Sequence, residues 1–338
     1  MAFDSLRIHG GPGASGPALY DFSTNSNACG PCPQALAMVQ SADATRYPDA
    51  SYTALRQSLA AFHAVQPWRI VLAGSASEFI FRITAWVRLQ GGQTVHLPQH
   101  AYGDYAHAAQ AWGLQAATDP DDADLVWACE PSSPLGQAHN VWPRWLVGHG
   151  ERRSASRQGT LVLDCAYAPL RLGGVAGLGG AQRDAVWQLF SPNKSLGLTG
   201  VRAAYAIAPL GSDVAVQQLD ALAPSWVVGA HGAAMLTAWT QPEVQTWLLQ
   251  SLASLRLWKS RQIEQLTSLG WTCLPSDANY FCAQPPAGVD VPGLCAALRL
   301  SGIQLRDTTS FGLPGWARMA VLPPEAQDAL FATLELTA

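Results

Sequence analysis

Long apolar runs, basic clusters and zinc-type groups of cysteine and histidine are all missing from this sequence of 338 residues. No stretch approaches the about 20 uninterrupted apolar residues of a transmembrane helix, so we expect no membrane association. The formal net charge is −4 and no basic run occurs, which argues against a nucleic-acid partner. No metal is expected, because no cysteines and histidines have zinc-ligand spacing. Residues 1–13 lack the apolar core of a signal peptide, and we therefore expect a cytoplasmic protein.

Charged side chains are scarce as well. They make up 13% of the residues, whereas hydrophobic residues make up 49%. This balance is typical of a globular enzyme that buries much of its surface, some of it between subunits. The length allows one large domain and a smaller one.

The seven cysteines include one pair with redox spacing, Cys29-Gly30-Pro31-Cys32. Thioredoxin-type chemistry needs the first cysteine at a helix N-terminus directly after a buried strand. Here the preceding residues, 23–28, form a polar loop, and the Gly-Pro pair fits an ordinary turn with Pro33 opening the next helix. We therefore predict no redox role for this pair.

Short apolar segments alternate with helical patterns along most of the chain. Strands are predicted at residues 69–73, 94–97, 125–129, 161–164, 185–190, 203–208, 303–306 and 317–321. Helices are predicted at residues 33–41, 52–63, 78–89, 105–112, 142–147, 217–222 and 232–269. The last part of the chain is predicted to mix strands and helices, with further elements at residues 279–283, 291–299 and 324–336. The alternation up to residue 208 indicates an α/β domain with a mostly parallel sheet covered on both faces. We predict an N-terminal arm (1–40), a large α/β domain (41–225) and a small α+β domain (226–338).

Residues 191–202 carry the most informative pattern, S-x-x-K-x-x-G-L-x-G-x-R, a lysine on a glycine-rich turn after an apolar segment. A cofactor with an aldehyde and a phosphate needs such a set. Lys194 can form a Schiff base, while Ser191 and Arg202 bind the phosphate. From the residues alone, the alternative is a glycine-rich hairpin with a surface lysine.

Other predicted strand ends carry groups that suit the same cofactor, and ligands bind at the carboxyl ends of parallel strands. Ser75, Ala76 and Ser77 follow the first strand of the large domain and open a helix, whose backbone amides would bind a phosphate. Tyr102 follows the next strand and could stack on a pyridine ring.

Asp164 ends the predicted strand 161–164, and Tyr167 follows three residues later. A carboxylate beside the pyridine nitrogen keeps it protonated, which makes the ring an electron sink. The tyrosine hydroxyl can bond the phenolic oxygen of the ring. Alternatively, a buried aspartate here could cap the following turn.

These residues, in this order, resemble the class I/II aminotransferases, and the resemblance covers nearly the whole chain. The 191–202 pattern is similar to their pyridoxal-phosphate lysine motif. Arg46-Tyr47-Pro48-Asp49 is similar to the R-Y-P-D segment of histidinol-phosphate aminotransferases and threonine-phosphate decarboxylases. Residues 21–27 resemble their D-F-S-x-N-x-N arm, and residues 302–314 resemble their closing segment.

The resemblance implies a PLP-dependent transferase fold of type I, with a mostly parallel seven-stranded sheet between helices and a smaller C-terminal α+β domain. It implies pyridoxal 5′-phosphate (PLP) as the cofactor. It also implies a homodimer, in which Tyr47 reaches the cofactor phosphate of the other subunit and the arm packs on the small domain and the partner.

The same resemblance implies the substrate ligands. Asn25 lies in the arm, and Arg318 matches the arginine that binds the substrate α-carboxylate. We expect Arg306 to lie close enough to bind a second anionic group. The alternative for Arg306 is a surface ion pair with Asp307 or Asp277, which would contribute little.

The chain departs from the family at residues 130–136, which read E-P-S-S-P-L-G where the family has N-P-N-N-P-T-G. Ser133 therefore occupies the place of an asparagine that donates to the phenolic oxygen of the cofactor. Serine is shorter and offers one hydroxyl in place of two N–H donors. The change affects the tuning of the ring and the substrate range, and cofactor binding is still expected.

Three functions fit these residues. The first is an aminotransferase for a small amino acid, phosphorylated ones included, in which Lys194 relays a proton. The second is a threonine-phosphate decarboxylase of the cobalamin-pathway type, which the segment 306–311 resembles. The third, a non-catalytic binding protein of this fold, conflicts with the presence of the lysine.

Overall fold

A mixed sheet of seven strands forms the centre of the fold. The computed structural model describes residues 10–14, 16–148 and 159–337. Residues 1–9 belong to the predicted arm and to the segment that lacks a signal core, and they lie outside the described residues. The last residue of the predicted small domain, Ala338, also lies outside them.

The elements follow one another in three groups. The N-terminal group contains β1 (Tyr20–Asp21), α1 (Pro33–Gln40) and α2 (Thr53–His63). The middle group contains β2 (Ile70–Ala73), α3 (Ala76–Leu89), β3 (Thr94–His96), α4 (Gly103–Ala111), β4 (Gln115–Ala116), β5 (Leu125–Cys129), α5 (Arg144–Val147), β6 (Thr160–Asp164), α6 (Gly180–Arg183), β7 (Trp187–Phe190) and β8 (Ala204–Ile207). The C-terminal group contains α7 (Asp213–Ala221), α8 (Ala230–Trp239), α9 (Pro242–Ser268), β9 (Thr272–Cys273), β10 (Tyr280–Gln284), α10 (Val291–Leu300), β11 (Ile303–Gln304), β12 (Arg306–Asp307), β13 (Ala317–Ala320) and α11 (Pro324–Thr337).

The seven-stranded sheet has the order β2-β8-β7-β6-β5-β3-β4. The strands from β7 to β4 pair in parallel, and β8 is antiparallel to both of its neighbours. Every residue of β2, β5 and β8 is buried, as expected for strands that helices cover on both faces. The prediction of a mostly parallel seven-stranded sheet in an α/β fold is confirmed.

The register of the sheet brings the ends of three strands together. Cys129 at the end of β5 lies opposite Asp164 at the end of β6, and Asp164 lies opposite Leu189 of β7. The segments that leave these strands therefore start from one edge of the sheet. The predicted lysine turn is one of them.

A smaller antiparallel sheet has the order β12-β13-β10-β9. The arm joins this C-terminal part, because β1 pairs in parallel with β11, Tyr20 opposite Ile303. The two larger sheets lie on either side of the predicted boundary at residue 225, which supports the three-part division. The division itself stays a prediction.

The structure differs from the sequence-based expectation in several elements. The predicted helix 232–269 is two helices, because Gln241 is extended and Pro242 opens α9. The predicted strand 303–306 is two short strands in different sheets. Within the described ranges, no helix combines the length and apolar content needed to cross a membrane.

Candidate active site

A cavity of about 370 Å³ lies at the edge of the sheet where β5, β6 and β7 end. Its wall contains almost all of the predicted site residues: Asn25, Ser75, Ala76, Ser77, Tyr102, Ser133, Asp164, Tyr167, Ser191, Lys194, Arg202, Arg306 and Arg318. Tyr47 is absent from this wall. It is 77% exposed, and its ring stacks on Trp226 of the same chain at 4.4 Å.

Lys194 lies on the turn that follows β7, and the arm fixes its backbone. Asn27 N donates to Lys194 O at 2.9 Å, and Asn193 Oδ1 accepts from Lys194 N at 3.0 Å. The lysine Nζ lies 5.4 Å from the centre of the Tyr167 ring. The surface-hairpin alternative is wrong, since Lys194 is half-buried and lines the cavity.

The Cys-Gly-Pro-Cys turn packs directly against this lysine turn. Cys32 N donates to Leu196 O at 2.8 Å. A Cβ on Gly30 would lie 3.2 Å from Gly197 Cα, so the two glycines permit the close approach of the backbones. Both cysteines are free, and a loop precedes Cys29. The absence of a redox role stays a prediction.

The N-terminus of α3 forms another part of the wall. Ser75 caps the helix, because its Oγ accepts from Glu78 N at 3.0 Å. The Ser77 Oγ lies 3.3 Å from the hydroxyl of Tyr102, which precedes α4. Free amides and the positive end of the helix dipole favour an anion here. Arg202 also lines the cavity.

Asp164 is buried at the end of β6, and each of its oxygens accepts a hydrogen bond. Ala166 N donates to Oδ1 at 2.9 Å, and Tyr105 OH donates to Oδ2 at 2.6 Å. Burial raises the pKa of Asp164, while Tyr105, Ala166 N–H and Lys194 act in the opposite direction. The carboxylate thus caps its own turn, as the alternative proposed, and also lines the cavity.

The sequence-based prediction missed Tyr105. One signal could have found it, because Tyr105 follows Tyr102 by three positions on a helical pattern and so lies on the same face. It also missed other residues of the wall: Gly10, Ser23, Thr24, Asp104, Cys129, Asn193 and Phe311.

Arg306 and Arg318 lie directly opposite each other on β12 and β13, and each is 6% exposed. The Arg306 guanidinium donates to Asp307 O at 2.7 Å and to Ser310 Oγ at 2.6 Å. Burial and the Arg318 charge lower the pKa of Arg306 to about 10. The alternative of a surface ion pair is wrong, because Arg306 is buried at the cavity.

Arg318 connects the arm, the small sheet and the segment that departs from the family. Its Nη2 donates to Ser23 O at 2.8 Å, and its Nη1 lies 3.3 Å from Ser133 Oγ. The guanidinium carbon is 5.5 Å from the centre of the Phe311 ring. Ser133 therefore contacts Arg318, the residue predicted to bind the substrate α-carboxylate.

The wall fits a ligand with several anionic groups. It contains four cationic side chains, Lys194, Arg202, Arg306 and Arg318, and two carboxylates, Asp104 and Asp164. Three buried atoms of the wall have no hydrogen-bond partner in the described part of the chain: Ser191 Oγ, Asn25 Oδ1 and Arg318 Nε. A phosphate would accept a hydrogen bond from Ser191 Oγ, a carboxylate would accept one from Arg318 Nε, and the ammonium group of an amino acid would donate to Asn25 Oδ1. These residues therefore fit pyridoxal phosphate and an amino acid.

The sequence model of the family "Aminotransferase class I and II" matches residues 18–334. The chain therefore belongs to the class I and II aminotransferases, a family of PLP-dependent enzymes. The predictions of the family, the type I fold, the enzyme class and the cofactor are confirmed.

Particular relatives fall in the predicted subgroup. A histidinol-phosphate aminotransferase of Jannaschia sp. (strain CCS1) is 26% identical over 335 residues, which cover 92% of this chain and 89% of the relative. A histidinol-phosphate aminotransferase from Sinorhizobium meliloti, solved with pyridoxal-5′-phosphate, aligns with a TM-score of 0.78 at 21% identity over 100% of this chain and 97% of that one. A threonine-O-3-phosphate decarboxylase from Porphyromonas gingivalis aligns with a TM-score of 0.75 at 20% identity over 94% and 99%. At such identities, the structures establish the fold alone.

Proposed function

We propose that this protein is an aminotransferase in which Lys194 binds the cofactor and the substrate is a small amino acid with a second anionic group, such as a phosphate. The observation that carries the substrate class is the buried arginine pair. Arg306 and Arg318 occupy paired positions on two neighbouring strands, beside a cavity that Lys194 also lines. Two buried guanidinium groups at this spacing repel each other unless anions lie between or beside them.

The lysine assignment has support from the whole sequence. The chain contains two lysines, Lys194 and Lys259. Lys259 lies on α9, where its Nζ donates to Ala278 O at 2.8 Å and to Ser276 O. Lys194 is therefore the lysine that remains for the cavity.

The cofactor, when bound, supplies an aldehyde for the amino group and a ring that accepts electrons. The helix start at Ser75–Ser77, together with Ser191 and Arg202, would hold its phosphate. Asp164 would face the ring nitrogen, and Tyr102 would contact the ring face.

Other residues would orient the substrate and move its proton. Tyr167 and Ser133 would lie near the phenolic oxygen of the ring. Asn25 Nδ2 donates to Tyr167 OH at 3.3 Å, so the arm can transmit substrate binding to that hydroxyl. Lys194 Nζ would exchange the proton at the substrate Cα, because its amine projects into the cavity beside Tyr167.

The assembly belongs to the proposal as well. We infer a homodimer in which Tyr47 serves the site of the other subunit. Tyr47 and Trp226 stack on the exposed surface. A groove of about 620 Å³, lined by Trp226, Trp68 and Tyr52, lies beside them. A cytoplasmic location remains a prediction of the sequence.

The experiment is a spectral screen of the purified holoenzyme against alanine, glutamate, histidinol phosphate, O-phosphoserine and O-phosphothreonine. We expect a phosphorylated substrate to convert the cofactor into pyridoxamine 5′-phosphate with release of a carbonyl product. Carbon dioxide release would instead assign the decarboxylase activity. If none of these compounds changes the spectrum beyond the Lys194→Ala control, the proposed substrate class is wrong.

A further inference from the structure

We propose that Tyr105 is a positioning residue that holds Asp164 as a carboxylate and thereby keeps a proton on the pyridine nitrogen of the bound cofactor. The inference rests on the proposed function in one respect, namely that Asp164 faces the ring nitrogen. It adds a role for a residue outside every motif of the sequence.

The hydroxyl of Tyr105 is fixed on Asp164 by burial and by packing. Tyr105 is 0% exposed, and its hydroxyl donates to Asp164 Oδ2 at 2.6 Å. Its ring stacks on that of Trp127 in β5, with the centres 4.4 Å apart and the planes within 8°. Tyr102 contacts the same ring at 5.8 Å in an edge-on arrangement. With its ring held on these sides, Tyr105 directs its hydroxyl at the carboxylate.

The groups around Asp164 determine whether its carboxyl group is charged. Burial favours the neutral acid, and the thiols of Cys129 and Cys165 lie close enough to interact with the carboxylate. Ala166 N–H, Tyr105 OH and the Lys194 amine favour the charged form. The hydrogen bond from Tyr105 stabilises the charged carboxylate because it is short and buried.

Tyr105 can act as a donor across the working pH range. Burial, followed by the Asp164 charge, raises the pKa of Tyr105 well above its usual value, so the phenol keeps its proton. Without this donor, Asp164 Oδ2 would lose one hydrogen bond and the carboxylate would hold a proton more tightly. In the holoenzyme, Asp164 would share one proton with the ring nitrogen of the cofactor. The proton would then move from the nitrogen towards the carboxylate.

The test compares Tyr105→Phe with a matched variant, Tyr205→Phe. Tyr205 is also 0% exposed, and its hydroxyl bonds His63 Nε2 at 2.7 Å and Trp239 Nε1 at 3.0 Å, outside the cavity wall. Each holoenzyme is reconstituted with cofactor labelled with ¹⁵N in the ring, and the nitrogen chemical shift is measured. Of these two variants, we expect only Tyr105→Phe to move the ¹⁵N chemical shift towards the value of an unprotonated ring nitrogen. We also expect kcat to fall roughly 10- to 100-fold with little change in KM.

An Asp164→Asn variant distinguishes a failure of the inference about Tyr105 from a failure of the role proposed for Asp164. If the nitrogen shift is the same in Asp164→Asn and wild type, then Asp164 does not face the ring and that part of the proposed function fails. If Asp164→Asn changes the shift and Tyr105→Phe does not, only the inference about Tyr105 is overturned.

Should Tyr105→Phe fail to fold, 3-fluorotyrosine at position 105 keeps the inference testable. The fluorinated phenol is a stronger donor of nearly the same shape. We then expect the nitrogen shift to move towards the protonated value, and an unchanged or opposite shift overturns the inference.

Discussion

At the level of single residues, Lys194 gives the most direct test of the site. We expect Lys194→Ala to lose the covalent attachment of pyridoxal phosphate, because the remaining lysine, Lys259 on α9, donates to the backbone carbonyls of Ser276 and Ala278. Borohydride reduction followed by mass spectrometry of the intact protein measures the attachment. Lys259→Met serves as the control and should keep the adduct. A reducible adduct that persists in Lys194→Ala would show that another group carries the cofactor.

The two arginines of the cavity should differ in their effects on substrates. Arg318→Ala should weaken every amino-acid substrate by roughly 2–5 kcal/mol, because a buried guanidinium binds a carboxylate with two parallel N–H donors. Arg306→Ala should weaken mainly substrates that carry a phosphate or a distal carboxylate. Steady-state kcat/KM for alanine and for a phosphorylated amino acid measures both effects.

Each arginine variant serves as the control for the other, because both arginines are equally buried and lie on paired strands. Equal losses on the two substrates in both variants would mean that Arg306 does not bind the distal group. The case for a phosphorylated substrate would then be lost.

Sequence patterns predicted those site residues whose spacing along the chain is itself diagnostic. Ser191, Lys194 and Arg202 occupy fixed positions on one turn, and Asp164 ends a clearly apolar strand. The helical spacing from Tyr102 could place Tyr105 on the same face, but its bond to Asp164 joins a helix to a strand across 59 positions, which no local pattern encodes. The role proposed for Tyr47 requires a second subunit, and no contact within the described part of this chain bears on it.

Among the elements, α9 carries a buried lysine whose charge should be detectable in stability. Burial lowers the pKa of Lys259 from its usual 10.5 to about 8. Between these pH values the folded state binds fewer protons than the unfolded state, so this group makes the free energy of unfolding rise with pH. The slope is at most about 1.4 kcal/mol per pH unit.

Urea unfolding of wild type and Lys259→Met at pH 7.5, 8.5 and 9.5 measures this contribution. The stability of wild type relative to the variant should increase across the series. Ser260→Ala, on the exposed side of the same helix, should show no such trend. A constant difference between wild type and Lys259→Met would contradict the lowered pKa.

The long elements were predictable, and the shortest ones were not. Strand β5 was predicted at its observed bounds because five consecutive buried residues give a clear apolar run. The strands β1, β4 and β9 have two residues each, too few to show any periodicity. Leu305 separates β11 from β12, and the sequence does not reveal that the chain changes sheets there.

For the whole molecule, the cross-subunit role of Tyr47 can be tested with hybrid dimers. One protomer carries Lys194→Ala, and the other carries Tyr47→Phe. If Tyr47 acts on the partner's site, the hybrid contains one intact site, formed by Lys194 of one protomer and Tyr47 of the other. We expect activity to rise above that of the parent variants, towards about a quarter of the wild-type value, after equal amounts of the two are mixed and reassociated, because half of the dimers are then hybrids and each hybrid has one intact site.

Sedimentation at micromolar concentration accompanies this experiment, and a dimer is expected. The Tyr47→Phe homodimer is the control and should bind the cofactor phosphate more weakly. A fully active monomer, or a hybrid no more active than its parents, would contradict the dimeric site.

The contacts of the arm also bear on the order in which the protein can be assembled during translation. Ser23 O accepts from Arg318 across 295 positions, and Asn27 Nδ2 donates to Ser195 O across 168 positions. Ser23 leaves the ribosome early and must therefore wait for Arg318, which emerges near the end of synthesis, and such distant closures are slow. The cavity is then completed on the arm's side only after nearly the whole polypeptide has been made. Cofactor capture is accordingly expected to follow release from the ribosome.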